Sequence, residues 1–471
     1  MAHEHYEIAI IGGGIAGLTL ALLCERLGFS YILFEKRDSL EGDKGAGISL
    51  QANALRILDQ LGVAEKVDAE AGTLAETYRY DEDGNQIMRN SALGTSRKRV
   101  GYGFTIMERA AFRRILWESI TRRESIMAPC LVTSVEENED EVIVRTARGS
   151  YRADLVVGAD GVNSTLRRLV DASKPMAECK FLWPSRFTPA DPHSDEQTNK
   201  ESICRLKTDM SSPFTCTYGM SSATPGILPG DHFGTHRPNG GVLAFAGRAG
   251  TIFWFLFENQ AANTQLPPRY SASDADKACQ LLADIRVMPE ATFGDVDKNA
   301  IFKFKIPLQE GVAPIWHTHR SVLVGDAACK ISPASGMGAC QAIEMCAVLM
   351  NELVRARREA LSRREGRISR QLMRSALEKY HEIRRPVAVS MVAKAHLITQ
   401  ICLCTPGMPT AFGKQMRQLS EESFFSLAVE NWKDSPTVED LELTPRARLC
   451  SEAIAKEMTQ AVRERTKTQT K

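Results

Sequence analysis

Net charge is nearly absent from this chain: Lys+Arg 59 against Asp+Glu 58 leaves a formal +1. No overall field therefore draws it to nucleic acid or an anionic membrane, and a small-molecule partner is expected. Metal-ligand spacing is absent too. The twelve cysteines stand singly apart from Cys402 and Cys404, with no pair of CxxC units and no His/Cys cluster. That argues against a bound metal centre and predicts reduced thiols in a cytoplasmic protein. No basic amino-terminal region leads into a long apolar run and cleavage site, so no secretion signal is expected. Residues 386–404 are fairly apolar, but Lys394 and His396 in their middle would be costly in a bilayer. A buried helix, or one in peripheral contact with a membrane surface, is expected there in place of a span.

What is present is the composition of a packed protein, with 43% hydrophobic and 25% charged residues. A chain of 471 residues exceeds one ordinary hydrophobic core, which predicts two lobes or one domain elaborated by insertions. Residues 7–11 form a short β-branched apolar run, a helical pattern begins near Ala16 and stops at Gly28, and residues 31–34 read as a second strand. This is a βαβ unit, and its sheet should be parallel. Gly12, Gly14 and Gly17 form GxGxxG at its strand-to-helix turn, and Glu35 closes the second strand. Gly12 permits the turn, Gly14 lets backbone approach a pyrophosphate, and Gly17 allows close helix-to-strand packing. The helix N-terminus stabilises phosphate charge, while Glu35 accepts from a ribose hydroxyl and repels a 2′-phosphate. A resident FAD or NAD fits this fingerprint; a resident NADP does not. There is no second GxGxxG, so a separate nicotinamide domain is not expected.

Farther along, residues 81–84 and 148–149 read as hairpin turns, and strand-like stretches alternate with Gly, Pro and Asn from residue 204 to about 257. Phe253, Trp254, Phe255 and Phe257 are candidates for the wall of a substrate pocket, although core packing explains them equally. Residues 321–324 return to a buried strand that ends in Gly325 and Asp326, and a helical pattern resumes after Gly338. This glycine-punctuated turn and the helix start at Gly338 and Ala339 can cradle an anionic cofactor.

Two segments extend the fingerprint: Gly158-Ala159-Asp160-Gly161 with Asn163, Ser164 and Arg167, and Gly325-Asp326-Ala327-Ala328 with Pro333, Gly336, Gly338 and Ala339. Together they resemble the single-component FAD-dependent monooxygenases of the aromatic-hydroxylase type. The resemblance covers nearly the whole chain. Its nearest form is the branch of fungal enzymes that oxidise prenylated, polyketide or meroterpenoid natural products, through residues 44–49, 101–109 and Tyr218-Gly219-Met220-Ser221 followed by Pro225-Gly226.

The resemblance implies an α/β fold: a Rossmann-like FAD-binding core with a β-rich substrate lobe and carboxy-terminal helices. Residues 1–75, 101–175 and 300–360 would form the discontinuous FAD-binding domain, residues 76–100 and 176–299 the substrate lobe, and residues 361–471 the helical region. FAD would be resident, with NADPH or NADH as a transient reductant, and one atom of O2 would pass to a hydrophobic small molecule by hydroxylation or epoxidation. By the same resemblance Ala46 or Gly47 lines the flavin, and Arg109 holds its phosphate or ribityl portion. The Asp160 segment serves FAD and pyridine nucleotide, Asp326 contacts the ribityl chain, and Tyr218 is an active-site residue. From the residues alone, Arg109 also reads as a surface helix arginine and Tyr218 as a core strand tyrosine. A flavin dehydrogenase or oxidase would use the same cofactor residues. The chain departs from the pattern at Cys329, where histidine is common, and at Met337, where glutamine is common; both bear on polarity near the flavin ring. Pro386 is expected to end or kink the late helix.

Overall fold

The computed structural model describes residues 5–38, 45, 47–172, 210–260, 269–405 and 419–469. The first βαβ unit comprises the strand His5–Ile11, the helix Ile15–Leu27 and the strand Tyr31–Phe34. Ile8, Ala9, Ile10 and Ile11 are all buried, as expected of a parallel strand covered on both faces. Each such isoleucine contributes about 1.5–3 kcal/mol of burial. His5–Ile11 pairs in parallel with Tyr31–Phe34 on one side and Gly149–Gly158 on the other, and Ser321–Leu323 adds in parallel beyond that. Ile126–Met127 extends the sheet at one edge; the antiparallel strands Val142–Thr146 and Val132–Glu137 extend it at the other.

A second, eight-stranded sheet runs in the order Cys329–Lys330, Ala300–Val312, Ser211–Ser221, Ile252–Asn259, Gly241–Ala246, Asp231–Thr235, Glu76–Tyr80, Gln86–Asn90. It is antiparallel except where Asp231–Thr235 meets Glu76–Tyr80. Ala300–Val312, which the sequence places with the cofactor-binding part, hydrogen-bonds along Ser211–Ser221 in this sheet. After Val312 the chain enters the first sheet at Ser321–Leu323 and returns to the second at Cys329–Lys330.

The two faces of this sheet serve different cores. Along Ile252–Asn259, Phe253, Phe255 and Phe257 join the large core shared with the first sheet, whereas Ile252, Trp254 and Leu256 join a second, smaller core. Period-two alternation separates them. Trp254 is thus removed from the candidate pocket wall: it packs edge-on against Phe293 at 5.1 Å, and its Nε1 donates to Ser221 Oγ at 2.9 Å.

Two long helices, Gly338–Ser362 and Arg370–Cys402, cover the assembly. The second continues through Pro386, which therefore does not end it. Its buried residues lie on both sides of the proline, with Met373, Leu377 and Tyr380 before it and Ala388, Val392 and Ala395 after it. Their burial offsets the roughly 3 kcal/mol that an internal proline costs. Tyr380 also donates from its hydroxyl to the Leu323 carbonyl at 2.9 Å, tying this helix to the parallel sheet. The carboxy-terminal helices dock back onto the helix Ala52–Gln60: Arg56 donates to the Ser435 carbonyl at 2.6 Å, and Trp432 Nε1 to Gln51 Oε1 at 3.0 Å.

Candidate cofactor and active site

Gly12 takes a φ of +108°, open to glycine, and a β-carbon there would lie 2.6 Å from the Ala159 carbonyl oxygen. The turn of the fingerprint therefore sits directly on the Gly158–Gly161 segment. Gly17 is tighter: its β-carbon would come within 1.9 Å of the Gly12 carbonyl oxygen. At Gly14, by contrast, an added β-carbon meets nothing within 4 Å among the described residues. Gly12 and Gly17 close the packing, and Gly14 keeps a space open.

Gly14 begins the helix Ile15–Leu27 with no side-chain cap and no acidic residue in the first turn. Gly338–Ser362 also starts without a side-chain cap or first-turn acid. A helix start leaves backbone N–H groups without intrahelical partners, which favours an anion. The two helices are brought together at Gly325, whose β-carbon would lie 3.1 Å from that of Ala16 and 3.3 Å from that of Ala342. Gly161 and Gly338 resemble Gly14 in having nothing within 4 Å of an added β-carbon.

The acidic residues around this space are held differently. Glu35 is buried and accepts from the backbone N–H of Gly13 at 2.7 Å and of Arg37 at 2.9 Å. An ionised carboxylate has about four lone-pair positions, so capacity remains for ribose hydroxyls. Asp160 accepts from the Thr165 N–H at 2.7 Å through Oδ2, while its buried Oδ1 has no partner among the described residues. Asp326 lies in the short turn Gly325–Ala327 and is paired with Lys330 at 2.5 Å. An orphaned buried carboxylate oxygen, three glycines facing open space and two uncapped helix starts fit a bound dinucleotide.

Gly47 and Arg109 occupy the neighbouring three-stranded layer, formed by Gly47–Leu50, Thr105–Glu108 and Gly72–Thr73. A β-carbon on Gly47 would lie 2.5 Å from Phe253 Cγ, so this glycine lets the eight-stranded sheet approach. Arg109 opens the helix Arg109–Glu118, with its stem against Gly45. Ala46 lies outside the described residues. Tyr218 is half-buried in the middle of the eight-stranded sheet, flanked by Phe255 and Phe304 in register, its ring 6.0 Å from that of Phe304. Ala339 follows Gly338 in the first turn of its helix.

The two departures from the family pattern are both interior. Cys329 lies under the long helix, its Sγ 3.9 Å from the Ala388 carbonyl, and burial pushes the thiol above its usual range. Met337 is buried at the start of Gly338–Ser362. Neither removes a backbone donor.

The FAD binding domain family matches residues 5–395. The FAD-dependent monooxygenase terM of Tolypocladium album is 33% identical over 75% of this chain and 70% of its own length. The chain belongs to the FAD-dependent monooxygenases of this family. A second relative, the FAD-dependent monooxygenase olcE of Penicillium canescens, is 32% identical over 75% of the chain and 72% of its own length. Among solved structures the monooxygenase has the fold of HpxO from Klebsiella pneumoniae complexed with FAD and uric acid, with a TM-score of 0.68 and 21% identity over 91% of this chain and 97% of that one. A salicylate hydroxylase substrate complex gives 0.64 and 19% over 94% and 98%. The enzyme is thus an oxidoreductase that binds FAD and acts on a small molecule with O2, using NAD(P)H as reductant. Among the described residues no helix is long and apolar enough to cross a membrane.

Sequence reasoning missed two residues that share the sheet face of Tyr218: Arg79 and His232. The alternation in Thr77-Tyr78-Arg79-Tyr80 carries their signal, but a polar residue at every second position reads as a solvent-facing strand.

Proposed function

We propose that this monooxygenase hydroxylates or epoxidises a hydrophobic natural-product scaffold of the fungal prenylated, polyketide or meroterpenoid kind. One observation carries the reading: the inner face of the eight-stranded sheet is an apolar aromatic surface, with Met220, Leu243, Phe245, Phe253, Phe255 and Phe257, and it abuts the cofactor segment where Phe253 meets Gly47. A lipophilic substrate on that face loses its water shell, and the same dry surface keeps bulk water from the reacting centre. The similarity to fungal FAD-dependent monooxygenases supports the reading.

FAD, when bound, supplies the redox chemistry that lets O2 oxidise an organic molecule. The chain holds it through Gly12, Gly14, Gly17, Glu35, Gly47, Arg109, Asp160, Asp326, Gly338 and Ala339, as does Ala46 by resemblance. Uncapped N–H groups at the two helix starts would take the pyrophosphate charge, Glu35 would accept from the ribose, and Asp326 would accept from the ribityl hydroxyls. Tyr218 holds an oxygen of the substrate and orients it. The parallel sheet with its helices forms the FAD-binding part, the eight-stranded sheet forms the substrate part, and the last helices brace the first. A peripheral membrane contact would supply lipophilic substrate.

Two variants test these roles. Asp326→Ala removes a charged acceptor worth about 1.5–3 kcal/mol, so FAD is expected to dissociate about tenfold or more too readily. Its half-exposed pair with Lys330 contributes only about 0–1 kcal/mol to folding. Fluorescence of released FAD measures the change; unchanged retention removes Asp326 from the cofactor site. For Tyr218→Phe, kcat/KM is expected to fall about tenfold with FAD content unaltered, and normal product formation excludes the hydroxyl from the reaction. The function itself is tested by incubating the enzyme with NADPH, 18O2 and a panel of prenylated and polyketide aromatics. A product carrying one heavy oxygen is expected. Peroxide release without labelled product from any of them favours an oxidase.

A further inference from the structure

Four ladder pairings place five residues in one row across the eight-stranded sheet: Tyr218, Phe255, Leu243, Gly234 and Arg79. Directly paired residues point to the same face, so Arg79 shares the inner face with Tyr218. The next row on that face runs Met220, Phe253, Phe245, His232 and Thr77. These two rows are otherwise apolar. Their polar members are Tyr218 at one end and Thr77, Arg79 and His232 at the other.

Gly234 has a local purpose here. A β-carbon on it would stand 3.6 Å from Arg79 Cδ, so the arginine stem lies beside the space it leaves. Arg79 then reaches His232, its Nη2 lying 2.9 Å from Nε2 and 3.5 Å from Nδ1 of the ring, and donates from Nη1 to the Tyr78 carbonyl at 2.8 Å. Burial and the adjacent guanidinium hold the His232 pKa well below its usual value, so a neutral imidazole lies against the cation. The ring is fixed from its other face by Phe245, stacked at 4.5 Å with planes 6° apart. Thr77 Oγ1 lies 3.4 Å from Nδ1.

Arg79 is thus a buried cation, and no carboxylate among the described residues is bonded to it. Burial alone brings its pKa down to about 10, leaving it charged at neutral pH. The carboxy-terminal end of Arg370–Cys402 lies nearby and adds partial negative charge. Its Ile401 carbonyl is engaged by His236 Nδ1 at 3.2 Å. A buried charge costs several kcal/mol unless something compensates it. Among the described residues, one carbonyl and one neutral imidazole lie against it.

We propose that Arg79, oriented by His232, binds a delocalised oxyanion of the substrate, a carboxylate or an enolate, and thereby selects which lipophilic molecules enter. The proposal rests on the reading that the inner sheet face holds the substrate. Four strand spacings separate the Arg79 and Tyr218 backbones by about 19 Å. After the arginine side chain folds back over Gly234, an elongated scaffold can span the remainder, its oxyanion at one end and its oxidised region towards Tyr218.

The experiment measures binding to the FAD-loaded enzyme by calorimetry in two arms. One compares 4-octylbenzoate with 4-octylbenzamide; the other compares the enolate of 2-octyl-1,3-cyclohexanedione with its enol methyl ether. The anion is expected to bind about tenfold or more tighter than its neutral partner in at least one arm, and the arm that responds identifies the oxyanion. Arg79→Met is expected to bring that ratio to about one, and Arg79→Lys to retain only part of it, because the planar fork is lost. Equal binding of anion and neutral partner in both arms, no binding of any of the four, or a preference that survives Arg79→Met overturns the proposal. FAD content, measured on the same samples, separates failure of the cofactor reading from failure of this one. Where Arg79→Met does not fold, the wild-type ratios decide.

Discussion

Gly17→Ala is expected to yield protein that neither retains FAD nor matches the parent in stability, whereas Gly14→Ala is expected to fold normally and lose only the cofactor. The difference lies in what the new methyl meets. At Gly17 it would stand 1.9 Å from the Gly12 carbonyl oxygen, a backbone atom that cannot swing aside. The helix must move away from the strand, opening the packing of Leu18, Ala21 and Leu22, all of which are buried. Overpacking of this kind costs about 1–3 kcal/mol or more. At Gly14 the methyl meets nothing within 4 Å, so the apoprotein tolerates it, but it fills the space that the pyrophosphate needs. Denaturation midpoints and flavin content, measured together, check both halves. A Gly14→Ala protein with full FAD would show that the open space at this turn is not where the cofactor lies.

The second large effect is expected from Glu344. Its carboxylate and the Arg384 guanidinium are both 1% exposed and meet at 2.8 Å. Asn53 Nδ2 donates to its other oxygen at 2.5 Å, and Arg384 also donates to Gln341 Oε1 at 2.6 Å. This network joins the helices Ala52–Gln60, Gly338–Ser362 and Arg370–Cys402. Glu344→Leu would leave a guanidinium buried without its counter-charge, a loss of about 3–5 kcal/mol. Replacing both partners, as Glu344→Leu with Arg384→Met, is expected to recover most of that loss, since the pair repays little beyond its own desolvation. Chemical denaturation of the two single variants and the double variant closes the cycle. Equal destabilisation of the double and the Glu344 single variant would show that the cost is one of shape.

The cofactor fold was legible because its signals are local. A β-branched run, three glycines at fixed spacing and an acid at the next strand end each answer to a short-range demand of one turn, and the strand Tyr31–Phe34 lies where that pattern places it. The segments around Asp160 and Asp326 are read as cofactor segments by family resemblance, and only geometry shows that Gly12 rests on Ala159 and Gly325 on Ala16. What escaped depended on distant partners. Ala300–Val312 carries no mark of which sheet it joins, because its neighbour Ser211–Ser221 lies some ninety residues earlier. Trp254 and Phe255 are equivalent in composition and opposite in direction. Pro386 reads locally as a helix end and is overruled by packing on both sides. Arg79 and His232 meet across strands far apart in sequence, and Arg384 finds Glu344 on another helix. In each of these cases tertiary context decides against the local reading.

The most direct test of the central claim is a flavin assay on the purified protein, joined to anaerobic titration with NADPH and NADH. One FAD released per chain on denaturation is predicted, with flavin absorbance bleached by at least one nicotinamide and restored when O2 is readmitted. Folded protein that neither contains nor takes up FAD, or bound FAD that neither nicotinamide reduces, would contradict the account.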